Sequence, residues 1–391
     1  MGRWFILGVI VLGIVIFGFS LIDTGTSGDV AASAVIFDTG SSSEGYTRAL
    51  TPLDWQFPRD FGAHPDYLTE WWYYTGNVAT ADGRRFGYQF TIFRRAIVPP
   101  SDSSAGDSEW RSNQLYMAHF AVTNVLDGAF YHQERFSRGG AGLAGAEVDP
   151  VYRVWLEGWQ VIGLDADATR TQITAATDQV ALDLVLEQVK PPALQGDRGL
   201  SAKSEEPGNA SHYYSLTRLL TSGTITIGDQ TFAVSGASWK DHEFSTSALG
   251  TGAQGWDWFG LQLDDERELM VGQIRLNDGA GQPGRDPYFG GLLVYPDGST
   301  QYLRAEDFNI EATATWTSPH TGATYPAGWI ITVTPQSGDA FTLTLTPQIA
   351  DQELHGGGIA YWEGTVRITG DATGYGYAEL TGYADSMTGR F

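Results

Sequence analysis

Alternating hydrophobic and polar positions recur along the chain from about residue 50 onward. Residues 180–187 carry Val or Leu at every even position, and residues 341–346 alternate apolar side chains with threonine. A period of two residues is typical of β-strands with one buried face. Turn signals such as Asp82-Gly83 and Asp297-Gly298 separate these runs, and no segment has the period of an amphipathic helix. The pattern predicts an all-β protein.

Three aromatic features occur twice in the same order. They are an aromatic-rich hairpin that returns to an arginine, a pair of tryptophans before alternating strands, and an aromatic pair that opens a glycine-interrupted hairpin. The first copies lie at residues 70–94, 155–189 and 213–236, and the second at 256–275, 316–346 and 361–382. We interpret the repeat as a tandem duplication joined near residues 240–255. Each antiparallel unit is long enough to close into a barrel of about eight to ten strands that holds one small ligand.

The chain begins with a long uncharged run. This run, residues 4–22, follows Arg3 and ends before Asp23, and its length lies between a signal-peptide core and a short membrane span. We predict a signal peptide or membrane anchor at residues 1–22 and a flexible tether at residues 23–48, which are rich in Gly, Ser, Thr and Ala. The charges around the run predict a body outside the cytoplasm, either secreted or periplasmic or anchored to the outer face of the membrane.

Composition narrows the classes of function. The chain has 23 Lys plus Arg against 46 Asp plus Glu, a net charge of −23, and no cysteine. Such an acidic surface repels phosphate backbones, so nucleic acid is not an expected partner. The absence of cysteine excludes disulfides, thiolate catalysis and cysteine-ligated metals. The sequence also lacks Gly-x-Ser-x-Gly, His-Glu-x-x-His and P-loop motifs, which weakens the hypothesis of a hydrolase.

Asp257 is the first candidate for acid chemistry. In the predicted strand at residues 255–263, odd positions place Asp257 on the same face as Phe259 and Leu261. Burial among apolar side chains raises the pKa of a carboxyl group and makes it a proton donor near neutral pH. The alternative is a structural carboxylate paired with an arginine such as Arg275.

Asp241, His242 and Glu243 form a second cluster near the joint. In a strand, Asp241 and Glu243 share one side and His242 faces the other. Histidine beside carboxylates suits proton transfer, and it suits metal ligation if a second histidine converges. A hydrogen-bonded structural residue is the alternative, and we predict no metal and no cofactor.

Residues 64–74 form a third cluster, in which Glu70 shares a strand face with Trp72 and Tyr74. Glu70 is there either a buried hydrogen-bond acceptor or a second acid, and we favour the acceptor. For His119, Glu363 and Glu379, we likewise favour a satisfied structural role over a functional one.

Several motifs together resemble one known family. They include His64-Pro-Asp-Tyr67, Glu70-Trp-Trp-Tyr-Tyr-Thr-Gly76, Trp239 with Asp241-His-Glu243, Gly255-Trp-Asp-Trp258 and Tyr361-Trp-Glu-Gly364. Over about residues 50–391 the chain resembles the AttH-like branch of the carotenoid hydratase (hydroxyneurosporene synthase) family. The resemblance implies two lipocalin-like barrels, at residues 49–245 and 246–391. It also implies acid-catalysed addition of water to a carbon–carbon double bond without a cofactor, and an association with an ABC-type transporter.

The hydratase pattern His-x-Trp and Tyr-x-Asp corresponds here to His242-Glu-Phe244 and Gly255-Trp-Asp257. Phe and Gly therefore stand where the pattern has Trp and Tyr, which changes the shape and polarity expected of the site.

We therefore expect an extracytoplasmic enzyme that hydrates or isomerises an apolar, isoprenoid or lipid-like substrate. The alternatives are a non-catalytic lipid carrier that works with an ABC-type transporter, and a secreted hydrolase. The predicted catalytic residues are Asp257, His242, Glu243 and Asp241. The predicted substrate-binding residues are Glu70, Trp72, Tyr74, Tyr214, Trp239, Trp256, Trp258 and Trp362.

Overall fold

A computed structural model describes residues 43–102, 112–246, 249, 252–277, 283–285 and 289–387. The predicted signal or anchor segment at residues 1–22, and most of the predicted tether, lie outside the described residues. Among the residues that are described, no helix is long and apolar enough to cross a membrane.

The first large sheet is built from strands between residues 69 and 245. Its strands are β1 Thr69–Ala79, β2 Arg85–Ala96, β3 Gln114–Asn124, β4 Ala129–Arg138, β5 Ala144–Glu147, β6 Arg153–Leu156, β7 Trp159–Gly163, β8 Arg170–Ala176, β9 Val180–Gln188, β10 Ala193–Leu194, β11 Leu200–Ala202, β12 Ala210–Ile227 and β13 Gln230–Ser245. Strands β1 and β13, the first and last of the set, pair antiparallel and nearly close the sheet into a barrel.

The second large sheet repeats this plan between residues 253 and 380. The strands of this half are β14 Ala253–Leu263, β15 Glu268–Asn277, β16 Pro283–Arg285, β17 Gly291–Val294, β18 Thr300–Leu303, β19 Phe308–Ala312, β20 Thr315–Thr317, β21 Thr324–Pro326, β22 Trp329–Val333, β23 Phe341–Pro347, β24 Glu353–Leu354, β25 Tyr361–Gly370 and β26 Gly374–Leu380. Strands β20 and β21 form a separate hairpin. Short 3-10 helices occur at Arg59–Phe61, Pro100–Asp102 and Ala305–Asp307. The all-β prediction of two tandem barrels is confirmed.

The two sheets share one strand order. The first runs β4-β3-β2-β1-β13-β12-β9-β8, and the second runs β18-β17-β15-β14-β26-β25-β23-β22. The hairpins β1-β2 and β14-β15 carry the first repeated aromatic feature, and β12-β13 and β25-β26 carry the third. This order is what a tandem duplication predicts.

Aromatic side chains fill the interior of each barrel. Trp72, Phe90 and Trp159 are at most 1 % exposed in the first barrel, and Trp329 and Trp362 are equally buried in the second. Burial of such side chains stabilises the fold by about 1.5–3 kcal/mol each. A space of about 10 Å³ remains beside Lys240 in the first barrel, which is room for about one water molecule. We expected a barrel interior to hold the ligand, but the structure has a packed core in each barrel.

The barrels pack side by side through the outward faces of their central strands. Asn77 donates a hydrogen bond to the backbone oxygen of Gly376 at 3.1 Å, and Thr123 donates to Gln352 at 2.8 Å. Gly87 lies in this seam, where a Cβ atom would come within 2.7 Å of the Tyr377 hydroxyl. Glycine at this position allows the close approach of the two sheets.

Candidate active site

The principal cavity lies in the seam between the barrels and has a volume of about 110 Å³. Its walls come from β1, β2, β3, β12 and β13 of the first sheet and from β14, β15, β25 and β26 of the second. Apolar side chains contribute much of the lining, among them Trp71, Phe93, Met117, Trp256, Trp258 and Ile274. An apolar cleft with a few convergent polar groups is the usual form of a small-molecule site.

Strand register builds a polar row along the first wall. Asp241 pairs with Tyr73, Tyr73 with Thr91, and Thr91 with His119, so these four residues cross β13, β1, β2 and β3 side by side. Directly paired residues project from the same face of a sheet, and here that face meets the second barrel. The odd-numbered residues of β1 and β13 therefore line the seam, and their even-numbered neighbours fill the first barrel.

Asp241 is the most strongly hydrogen-bonded carboxylate of the cavity. It accepts hydrogen bonds from the hydroxyls of Tyr213 at 2.7 Å and Ser215 at 2.5 Å, and from the indole of Trp239 at 2.7 Å. Burial raises the pKa of Asp241 to about 7, and the three donors oppose this shift. Near neutral pH the side chain is thus able both to donate and to accept a proton.

Glu379 brings a second titratable carboxyl to the same cavity from β26. Its pKa is raised to about 7, chiefly by burial; a hydrogen bond from Trp256 opposes the rise, and the negative charges of Asp241 and Glu243 add to it. The pKa values of Asp241 and Glu379 therefore both lie near 7. One carboxylic acid and one carboxylate can therefore coexist in the cavity near pH 7.

Glu363 lies directly opposite Glu379 on the neighbouring strand β25. Its Oε1 accepts a hydrogen bond from the Tyr73 hydroxyl at 2.7 Å, while its buried Oε2 has no partner in the described part of the chain. Burial, followed by the charge of Glu379, raises the pKa of Glu363 well above its usual value. These surroundings favour the neutral carboxylic acid form of Glu363, which supports the wall of the cavity.

Glu243 lines the cavity and forms an ion pair. The Lys203 Nζ lies 2.8 Å from the Glu243 Oε1, and the Ser211 hydroxyl donates to the same oxygen. The Lys203 ammonium also lies 4.6 Å from the Phe289 ring centroid. Opposite charge and an aromatic face both stabilise this cation, so Lys203 gives the apolar cavity one positively charged position.

The opposite end of the polar row is a chain of three residues that joins the barrels. The hydroxyl of Tyr361 lies 2.6 Å from the His119 Nδ1, and the His119 Nε2 lies 2.8 Å from the Glu134 Oε2. His119 is separated from Asp241 by three strand spacings, or about 14 Å. A bound ligand would therefore meet the two carboxyls and the Tyr361–His119 pair at different points along its length.

His242 and Glu70 lie inside the first barrel, outside the cavity wall. The Glu70 Oε1 is 2.8 Å from the His242 Nε2 and 2.8 Å from the His64 Nδ1, and the Arg94 Nε donates to Oε2 at 2.8 Å. Although burial opposes the shift, the positive charge of Arg94 and the two histidines hold the pKa of Glu70 well below its usual value. Burial lowers the pKa of His242 to about 4. Glu70 is thus the buried hydrogen-bond acceptor that we favoured.

Three predicted substrate-binding residues surround this network in the first barrel. The Trp72 ring stacks on His242 with centroids 4.9 Å apart, and the Tyr214 hydroxyl lies 2.9 Å from the His242 Nδ1. The hydroxyls of Tyr74 and Tyr152 lie 2.9 Å apart. These side chains form packing and hydrogen bonds within the barrel core.

His64, Glu70 and His242 present one possible ligand atom each within 4.8 Å of one another, which is a geometry that a metal ion could use. His64 is the converging second histidine that the metal hypothesis for His242 required. These atoms already satisfy one another through hydrogen bonds, and the Arg94 guanidinium stands against Glu70. A bound cation would have to displace those bonds beside a fixed positive charge, so we describe this cluster as a structural network.

Asp257 faces the interior of the second barrel together with Phe259, as strand parity predicted. It accepts hydrogen bonds from Gln273 at 2.8 Å, from Arg275 at 3.1 Å and from the Tyr383 hydroxyl at 2.9 Å. Burial raises its pKa and the charge of Arg275 opposes the rise. Asp257 is absent from the described lining of the seam cavity, and its surroundings match the arginine-paired alternative.

The other tryptophans that were predicted to bind substrate lie either at the cavity or in the second barrel core. Trp256 and Trp258 line the cavity, and Trp239 touches it through its hydrogen bond to Asp241. Trp362 lies in the second barrel core and donates to the backbone oxygen of Ala350 at 2.8 Å. Sequence reasoning missed Tyr73 and Tyr213, and it assigned structural roles to His119 and Glu379, which line the cavity.

Two antiparallel barrels in tandem, with an acid-bearing cavity between them, define a class of lipocalin-like double-barrel proteins. The family model described as AttH-like matches residues 48–383, so the chain belongs to the AttH-like family. A crystal structure of an AttH protein from Nitrosomonas europaea is 31 % identical, with a TM-score of 0.73, over 86 % of this chain and 99 % of that chain.

Two further crystal structures share the fold. Kievitone hydratase from Nectria haematococca is 15 % identical, with a TM-score of 0.63, over 87 % of this chain and 96 % of that chain. CghA with Sch210972 is 13 % identical, with a TM-score of 0.54, over 88 % of this chain and 98 % of that chain. No curated protein matches the sequence.

Proposed function

We propose that this protein is a cofactor-independent acid–base enzyme that hydrates or isomerises a carbon–carbon double bond of an apolar small molecule. The observation that carries the proposal is the pair of carboxyls, Asp241 and Glu379, which share an otherwise largely apolar cavity and both have a pKa of about 7. Paired titratable groups with perturbed pKa values in a cleft are typical of acid–base sites. The double-barrel fold that the chain shares with kievitone hydratase is consistent with this reaction class.

In the proposed hydration, the protonated carboxyl of Asp241 donates its proton to one alkene carbon. The π electrons form the new C–H bond and leave a cation on the adjacent carbon. Water attacks that cation, and the Glu379 carboxylate accepts the proton that the water releases. Proton exchange between the pair then restores the starting state. In an isomerisation, Glu379 would instead remove a proton from the carbon beside the cation.

Aromatic rings of the wall would stabilise the cationic intermediate. Trp71, Trp256 and Trp258 line the cavity, and a cation over an indole face gains about 0.5–2 kcal/mol. We assign the acid to Asp241 in preference to Asp257, because Asp257 is held by Arg275 inside the second barrel. His242 then has only a structural role: it is next to Asp241 on β13, but its side chain lies inside the first barrel.

The second candidate is a lipid carrier, which the apolar lining of the same cavity favours. A carrier would require the apolar cavity, but it would not require two carboxyl groups that titrate near pH 7. For either function we propose a setting outside the cytoplasm, which rests on the uncharged run at residues 4–22. Cooperation with an ABC-type transporter is a proposal that belongs to the carrier alternative.

Deuterium incorporation tests the enzyme proposal before the substrate is identified. The purified protein would be incubated in D2O with a total lipid extract of its host, and the lipids would be analysed by mass spectrometry. We expect one apolar species to gain deuterium at carbon, with or without the mass of added water. A protein with both Asp241→Asn and Glu379→Gln should give no incorporation. Retention of an unaltered, deuterium-free lipid by both proteins would contradict the enzyme and support the carrier.

A further inference from the structure

Three of the seven histidines in the chain meet at one edge of the seam. His132 belongs to β4 of the first sheet, His355 follows β24, and His320 lies between β20 and β21. The ring centroids of His132 and His355 are 4.6 Å apart, and those of His320 and His355 are 4.0 Å apart. Segments of both barrels therefore bring three imidazoles together, and we call them the seam histidines.

The seam histidines are only partly engaged in other interactions. The His320 Nε2 lies 2.9 Å from the Asp351 Oδ2, and the His320 side chain is 35 % exposed. Within the described parts of the chain, His132 and His355 make ring contacts but no hydrogen bond or ion pair. Their nitrogens are thus available to a ligand.

We propose that His132, His320 and His355, together with the carboxylate of Asp351, bind a transition-metal ion such as Zn²⁺ that links the two barrels. Imidazole and carboxylate ligands suit Zn²⁺, Cu²⁺ and Ni²⁺, and structural zinc takes four ligands. The three rings do not yet present one nitrogen each within 4.8 Å of the others, so binding requires their rotation. The exposure of the His320 side chain leaves room for such rotation.

A metal ion bound by the seam histidines would be linked to the cavity wall by a short chain of contacts. Glu134, two residues from His132, accepts a hydrogen bond from the backbone N–H of Gly358 at 3.1 Å and contacts His119 at 2.8 Å. His119 in turn contacts Tyr361 in the cavity wall. A metal ion that links the two barrels would therefore hold the cavity wall in place, whatever reaction the cavity supports.

Zinc binding to the full chain tests this site by isothermal titration calorimetry with ZnCl2 at pH 7.5 and by thermal unfolding. We expect one Zn²⁺ per chain and a rise in Tm with zinc concentration, as binding to the folded state requires. His355→Ala and His132→Ala should each weaken the affinity at least about 10-fold, since even the outer partners of metal ligands contribute 10- to 100-fold. Gln133→Ala, an exposed neighbour on β4, should leave it unchanged.

The buried His64–Glu70–His242 cluster provides the rival location for the ion. Zinc affinity that survives His355→Ala and His132→Ala but is lost in His64→Ala would overturn the proposal. An absence of saturable zinc binding to the wild-type protein would overturn it as well. Because the readouts are affinity and Tm, the result does not depend on the proposed enzymatic function.

Discussion

Replacement of Glu70 by glutamine should destabilise the protein by about 3–5 kcal/mol, the usual cost of removing one partner of a buried ion pair. Glu70 is 0 % exposed and Arg94 is 2 % exposed, and their atoms lie 2.8 Å apart. The glutamine would leave the Arg94 guanidinium buried without a counter-charge. Urea unfolding monitored by tryptophan fluorescence would measure the loss as a lower midpoint.

Glu363→Gln is the matched control, because Glu363 is equally buried but has no cationic partner in the described residues. Burial raises its pKa well above the usual value and favours the neutral acid. The substitution should therefore change the free energy of unfolding by less than about 1.5 kcal/mol. A loss equal to that of Glu70→Gln would show that Glu363 is ionised and is not the neutral acid that its burial predicts.

Asp241→Asn should slow turnover of the substrate by about 100-fold or more, the usual contribution of one general acid, while the apolar ligand still binds. The wild-type rate should be bell-shaped in pH with a maximum near 7, because one carboxyl of the pair must be protonated and the other ionised. Tryptophan quenching would report binding, because Trp256 and Trp258 line the cavity.

Asp257→Asn separates the two candidate acids. It should leave the turnover of folded protein nearly unchanged but lower its stability, because Arg275 would lose its buried partner. The idea that Asp241 is the acid would be abandoned if Asp257→Asn abolished turnover at unchanged stability and Asp241→Asn did not.

Asp241 also makes the stability depend on pH. Its pKa rises from 3.8 to about 7 on folding, so the folded state binds more protons between these values. Stability from this group is therefore highest at low pH and falls as the pH rises towards 7. The Asn variant should lack this decline.

Strand parity in the sequence was sufficient to assign side chains to faces. It placed Asp257 with Phe259, separated His242 from Asp241 and Glu243, and grouped Glu70 with Trp72, as the structure shows. Parity does not show which face of a strand points into the barrel and which face points outward. A ligand inside a barrel would meet the inward face of β14, which is why Asp257 was the first candidate for the acid.

The seam cavity depends on long-range pairing that local patterns do not encode. Tyr73 and Glu363 are 290 residues apart, and Tyr361 and His119 are 242 apart. The duplication indicated two barrels but not which strands of each would meet. A useful signal was available in the outward positions of β1 and β13, where Trp71, Tyr73 and Trp239 are too aromatic for an ordinary solvent-facing row.

The most direct test of the acid–base mechanism is the protonation state of Asp241 itself. Infrared difference spectra of protein labelled with 13C-aspartate, recorded across pH 5–9 for the wild type and Asp241→Asn, would follow the protonated carboxyl band. The mechanism predicts a band that disappears with a midpoint near pH 7 in the wild type and is missing from the variant. A wild-type spectrum in which every aspartate is already ionised at pH 5 would contradict it.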